Sequence, residues 1–198
     1  MRRIAAAALA LALTASLAAC TSPNDRLTDL YESGSNQGFI SGDGSFEEIP
    51  LAERGEPVVF EGTAVDGSAV SSADYAGEVL VLNFWYAGCG PCRAEAPLLE
   101  EVYAAVSDDG ADFLGVNIYD GPEQATSFEK TYGITYPSVL ARSDADLKLA
   151  LQSVAPIQEA PTTLVLDKQG RVAARFIGQL ASASILKTLV VDALAEEM

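Results

Sequence analysis

The chain contains no histidine in 198 residues, only three cysteines, and 12 lysines and arginines against 28 aspartates and glutamates. Each shortage removes a class of function. A structural zinc site usually takes four Cys or His ligands, and one Cys pair without histidine would need carboxylates to complete it. Covalent haem attachment needs a His directly after CxxC, and Arg93 stands there instead. A nucleic-acid surface is excluded because phosphate contacts are made by Lys and Arg. The net charge of −16 is most simply a solvated acidic face that keeps the protein soluble and off anionic headgroups. Neither a metal nor a cofactor is expected.

A membrane-spanning run is also missing, since such a helix needs about 20 apolar residues. The apolar stretch Ile4 to Leu13 is shorter, follows Arg2 and Arg3, and is followed by the small residues Ala18 and Ala19. That is the layout of a secretory signal peptide over residues 1–19. The "LAAC" that ends it resembles the lipobox of bacterial lipoproteins. The resemblance implies that Cys20 is lipidated and begins a mature chain held on the outer face of a membrane. Removing residues 1–19 takes away two basic residues and no acidic one, leaving a net charge of −18. Cys89 and Cys92 are then the only free cysteines, in a compartment where disulfides persist.

What remains is 49% hydrophobic and 20% charged, a globular composition. Residues 20–55 are rich in Ser, Gly, Asn and Asp without sustained periodicity, and read as a flexible tether, although "GFISGDG" has the makings of local packing. Residues 56–198 read as one domain. "VVFEGTAVDGSAV" is a hairpin around Asp66-Gly67. "VLVLNFWY" is a strand buried on both faces. "PCRAEAPLLEEVYAAVSDDG" is a helix closing at Gly110 and kinked at Pro97. A second buried strand, a helix from Pro122 to Gly133, a short extended piece and a helix capped by Ser143 or Asp144 follow. A hairpin over "TTLVLDKQGRVAARFIG" and a closing amphipathic helix complete an α/β order with a mixed sheet.

The pair Cys89-Gly90-Pro91-Cys92 falls where the buried strand ends and its helix starts. As a staple it closes a very small loop and removes little entropy from the unfolded chain. Redox exchange suits it better. A helix N-terminus favours negative charge and lowers a thiol pKa from its usual value near ~8.5. Cys89 is expected to be the exposed attacker, and Cys92, one turn inside, the resolving thiol. Trp85 and Tyr86 read first as core and rim aromatics.

"VLNFWYAGCGPCRAEAP" resembles the TlpA/ResA-like thiol–disulfide oxidoreductases of the thioredoxin superfamily. The resemblance runs from about Pro57 to the C-terminus and includes "GVNIYDGPEQATSFEKTYGITYP" as a central insertion and "APTTLVLDKQGRV". It implies a thioredoxin fold: a mixed central sheet flanked by helices, with an N-terminal β-hairpin and a central αβ insertion. The family motif C-x-x-C-x-x-E-x-P is met by Cys89, Cys92, Glu95 and Pro97. The resemblance further implies a cis bond at Ala160–Pro161 facing the cysteines, with substrate contact by Ala160 and Pro161; a direct substrate role is the alternative reading of Trp85. Two departures stand out. Gly88 replaces the frequent Trp before the first cysteine, which opens the site. Asn83 replaces the buried acid of cytoplasmic thioredoxins, which leaves Glu95 as the proton-handling group.

The expected function is a membrane-anchored reductase of exported protein disulfides, including those of apocytochrome c during cytochrome c maturation. Electrons would come from a membrane thiol transporter, and a monomer is expected. A disulfide-forming oxidase, a tethered binding module with an inert disulfide, and a peroxidase are the competing readings.

Overall fold

The computed structural model describes residues 40–41, 44–155 and 160–197. The signal peptide, Cys20 and most of the tether lie outside the described residues. Gly38–Met198 is one compact unit. No helix among the described residues is long and apolar enough to cross a membrane.

The central strand β5 (Val79–Trp85) is buried along its whole length. It pairs in parallel with β6 (Ala111–Asn117), which pairs in parallel with β7 (Ser138–Leu140). On its other side β5 meets β8 (Thr162–Leu166) antiparallel, and β8 turns back into β9 (Val172–Ile177). Two strands ahead of the expected domain, β1 (Ile40–Ser41) and β2 (Gly44–Glu48), complete a seven-stranded sheet ordered β1-β2-β9-β8-β5-β6-β7. The hairpin of β3 (Glu61–Thr63) and β4 (Ala69–Ser71) forms around Asp66-Gly67, where Gly67 has φ 89°. This is the mixed sheet of a thioredoxin-like fold.

The period of two along β5 sorts its side chains between two cores. Val79 and Val81 face α1 (Gly90–Val106), through Leu99, Val102 and Val106, and α4 (Ala183–Ala195), through Leu186 and Val190. Leu80, Leu82 and Phe84 face the opposite way, toward Leu147 and Leu151 of α3 (Ala145–Gln152). Asn83 and Trp85 are therefore carried on the α1 side. A third cluster joins Trp85, Cys89, Cys92 and Ala96 to Ala125 and Phe128 of α2 (Pro122–Tyr132). Asp144 caps α3 by accepting the N–H of Leu147 at 2.9 Å.

One expectation is corrected. The tether does not extend to residue 55, because Ser45 to Glu48 pair with Ile177 to Ala174 and the Phe46 ring stacks on Phe176 at 4.9 Å. Just beyond, Arg54 is buried against Asp167 and Glu196. A lone Phe in a polar stretch gives no local pattern when its partner is 130 residues away. α1 runs through Pro97 to Val106, followed by a 3-10 turn and Gly110 at φ 92°. Pro97 removes one donor, and packing of Leu99, Val102 and Val106 holds the helix on the sheet.

Candidate active site

Strand β5 ends at Trp85, and four residues later Cys89 caps α1. The cap is made by sulfur: Sγ of Cys89 accepts the backbone N–H of Cys92 at 3.1 Å. Cys89 and Cys92 are joined as a disulfide with their Cα atoms 5.3 Å apart. Pro91 sits in the first helical turn, where its missing N–H has no intrahelical partner to lose. One of the unpaired N–H groups at this helix end thus already points at the sulfur that would carry negative charge after reduction.

The pair is enclosed. Cys89 is 3% exposed and Cys92 2%. The expected exposure of Cys89 is therefore not found in the disulfide form, because Trp85, Ala96, Ala125 and Phe128 pack around the pair. Its neighbours Gly88, Gly90 and Pro91 are the exposed positions. The bond Ala160–Pro161 is cis. Sγ of Cys89 lies 3.9 Å from the carbonyl oxygen of Ala160. A disulfide sulfur has no proton to donate, so this is a contact, and the thiol of the reduced form would have an acceptor there.

Trp85 does not present a surface to a substrate. It is 4% exposed and stacks on Phe128 at 4.2 Å, so it supports the disulfide from within. The rim aromatics are Tyr86, partly buried, and Tyr119, exposed, whose rings meet edge-on at 5.2 Å.

Glu95 is completely buried. Its Oε1 accepts Nδ2 of Asn83 at 2.8 Å and its Oε2 accepts the N–H of Leu180 at 3.0 Å. Burial pushes its pKa up to about 7, against the pull of these two donors. The Asn83 amide also donates to Oγ1 of Thr163 at 3.0 Å, tying the acid to the strand that follows Pro161. Glu95 and Cys92 are three residues apart on α1 and share its buried side. A cavity of about 10 Å³, large enough for one water, adjoins Cys92, Asn83, Trp85 and Tyr136. Among the described residues no three His, Cys, Asp or Glu side chains are grouped to hold a metal.

Two residues that the sequence reading passed over reach the same place. Asp120 accepts the N–H of Ala87 at 2.5 Å, and Arg93 donates to the Ala87 carbonyl at 2.8 Å. The available signal was position: Asp120 follows the carboxyl end of a parallel strand, where sites of α/β sheets gather.

The Redoxin family model matches residues 47–190 of this chain. The thiol-disulfide oxidoreductase ResA of Geobacillus thermodenitrificans is 31% identical over 125 residues, which cover 63% of this chain and 69% of the relative. That of Geobacillus kaustophilus is 32% identical over 127 residues, 64% of this chain and 70% of the relative. Among solved structures, a DsbF homologue from Corynebacterium diphtheriae superposes with a TM-score of 0.66 at 32% identity, over 80% of this chain and 99% of that one. A secreted thiol-disulfide isomerase from Corynebacterium glutamicum gives 0.68 at 27% identity, over 80% and 98%. With the disulfide seated at the strand–helix junction, the chain belongs to the Redoxin family, as a TlpA/ResA-like thiol–disulfide oxidoreductase of the thioredoxin superfamily.

Proposed function

We propose that this oxidoreductase works outside the cytoplasm, anchored by lipid on Cys20, and reduces disulfides of exported proteins. Apocytochrome c is the substrate the ResA resemblance suggests, and a membrane thiol transporter the electron donor. The observation that carries the reductase direction is the setting of Glu95. A strong oxidant arises when the reduced, thiolate form is stabilised. Here a buried carboxyl lies one helical turn from Cys92, and among the described residues its hydrogen-bond partners are Asn83 and Leu180, neither of them a cation. Once ionised, it disfavours a neighbouring thiolate and so favours the disulfide state of the pair.

The reaction balances without a cofactor. The Cys89 thiolate attacks one sulfur of the substrate disulfide, forming a mixed disulfide and releasing the other substrate sulfur as thiolate. Glu95 takes the proton of Cys92. The Cys92 thiolate then attacks Cys89, the Cys89–Cys92 disulfide forms, and the second substrate sulfur leaves. Two electrons have passed to the substrate, and a donor dithiol restores them to the pair by the reverse exchange. Ala160 and Pro161, beside Cys89, would receive the substrate backbone. The signal-peptide layout and "LAAC" support the location and the anchor.

The test is the equilibrium potential of the pair against glutathione, joined to insulin reduction by wild type, Cys89→Ser and Cys92→Ser. A potential near that of thioredoxin, about −270 mV, with activity lost in both variants, is expected; a value near about −120 mV would reverse the direction. Activity retained in both variants would identify an inert disulfide.

A further inference from the structure

We propose that Asp120 is a positioning residue for the exchange reaction, acting with Arg93 as a two-sided clamp on the peptide that leads into Cys89. The segment Tyr86–Gly88 joins β5 to α1 and is the support of the attacking sulfur. Its last residue is glycine, which adds backbone freedom and has no side chain to anchor. One turn hydrogen bond, from the N–H of Cys89 to the carbonyl of Tyr86 at 3.1 Å, closes it on itself. The clamp comes from outside the segment. Oδ2 of Asp120 takes the N–H of Ala87, and Nε of Arg93 donates to the carbonyl of the same residue.

Asp120 is itself fixed. Asn117, completely buried at the end of β6, donates Nδ2 to Oδ2 of Asp120 at 2.9 Å. Its Oδ1 accepts the N–H of Asp120 at 2.7 Å and that of Tyr119 at 3.2 Å, an Asx turn that folds the loop back on the strand. Asn117 lies opposite Trp85 in the parallel ladder, and Ile118 N–H donates to the Trp85 carbonyl at 3.1 Å. The ends of β5 and β6 are thus tied to each other immediately beneath the cysteine loop. Asp120 directs its carboxylate across this seam, 33 residues back in sequence, and none of its hydrogen bonds is to α2, the helix that follows it.

The consequence is kinetic. Thiol–disulfide exchange needs the attacking sulfur in line with the bond it breaks, so the orientation of Cys89 sets the rate. A misplacement of about 1 Å can slow a positioned reaction by about a hundredfold. The clamp holds that orientation in either direction of electron flow. The inference therefore rests on the exchange activity and not on the reductase reading.

The test measures exchange of the soluble mature chain with glutathione and with dithiothreitol by stopped flow. Asp120→Ala is expected to slow both by about tenfold. Asp120→Asn keeps a carbonyl that accepts from Ala87 and Asn117, and is expected to stay within about twofold of wild type. Arg93→Ala, at an exposed position, is expected to slow exchange, and the double variant to be no slower than the slower single one, because both act on one peptide. Hydrogen exchange at the Ala87 amide should accelerate in Asp120→Ala and not in Asp120→Asn. Wild-type rates in Asp120→Ala, equal losses in the Ala and Asn variants, or additive losses in the double variant would overturn the clamp. Should Asp120→Ala not fold, Arg93→Ala decides, and a wild-type rate there overturns it equally. A wrong direction of electron flow would instead show in the potential, with all these ratios intact.

Discussion

Asn83 donates its side-chain amide to Glu95 at 2.8 Å, so a strand residue that cannot take a proton holds a helix residue that can. The buried acid that β5 lacks is supplied by α1, on the same side of the sheet. Asn83 spends its second donor on Thr163 and so fixes the acid relative to the strand after Pro161.

This arrangement gives stability a defined pH dependence. Glu95 titrates near 4.5 in an unfolded chain and is pushed up to about 7 in the folded one. The folded protein binds this proton more tightly, so the contribution is fully present below about 4.5 and is lost as pH rises through about 7. Each unit of displacement corresponds to about 1.4 kcal/mol. Urea midpoints of the oxidised protein should fall across this window in wild type, and the fall should be missing from Glu95→Gln. Parallel curves for the two proteins would show that Glu95 is not titrating there.

The cysteine roles are open to trapping. Cys89 caps the helix with its sulfur, and Cys92 lies on the inner side of α1. Cys92→Ser should accumulate mixed disulfides through Cys89, read by mass spectrometry after reaction with a disulfide peptide. Equal trapping by Cys89→Ser would mean the roles are not divided in this way.

Gly115 should resist substitution. A Cβ there would overlap Oγ of Ser138 and stand 2.7 Å from Nε1 of Trp85. Overpacking of this kind costs about 1–3 kcal/mol. Trp85 is the only tryptophan, so its emission reports the site directly. Gly115→Ala should shift that emission and lower the denaturation midpoint, while an unchanged spectrum would show that the neighbourhood absorbs the methyl group.

Arg54 should matter for folding although it is far from the cysteines. Its guanidinium contacts Asp167 at 2.9 Å and Glu196 at 2.6 Å. Burial raises the Asp167 pKa, but the N–H of Arg171 and the guanidinium groups of Arg54 and Arg171 outweigh it and hold the carboxyl below its usual range. Truncating one partner of a buried pair costs about 3–5 kcal/mol, and the partial exposure of Glu196 reduces that to about 2–3 kcal/mol for Arg54→Ala. The Asp167 contribution is present above the ordinary aspartate pKa and is lost as pH falls through the depressed one. The deficit of Arg54→Ala should therefore narrow in acid, as measured by urea denaturation.

The anchor is tested by fractionation. Wild type should partition with membranes, and Cys20→Ala should be soluble or remain unprocessed. A correctly cleaved Cys20→Ala protein retained in the membrane would exclude lipid on Cys20 as the anchor.

The sequence alone determined the features carried by neighbouring residues. The continuous apolar run of β5, the turn at Asp66-Gly67, the Asp144 cap and the Cys89–Cys92 spacing are each written within a few positions. Their order specified an α/β fold with the cysteines at a strand's carboxyl end. The family resemblance singled out Glu95 and the Ala160–Pro161 bond. Tertiary structure decided what depends on partners brought together from distant positions. Asn83 meets Glu95 across 12 residues, Ala87 meets Asp120 across 33, Glu95 meets Leu180 across 85, and Arg54 meets Glu196 across 142. Local periodicity records which side of an element is apolar, but not which polar group will stand opposite a buried one. That is why Phe46 read as part of a tether and Cys89 as exposed, while Trp85, at the end of an apolar run, read first as a core aromatic. Packing against β9 half-buries Phe46, and packing against α2 and the core beneath the disulfide places Trp85 and Cys89 inside.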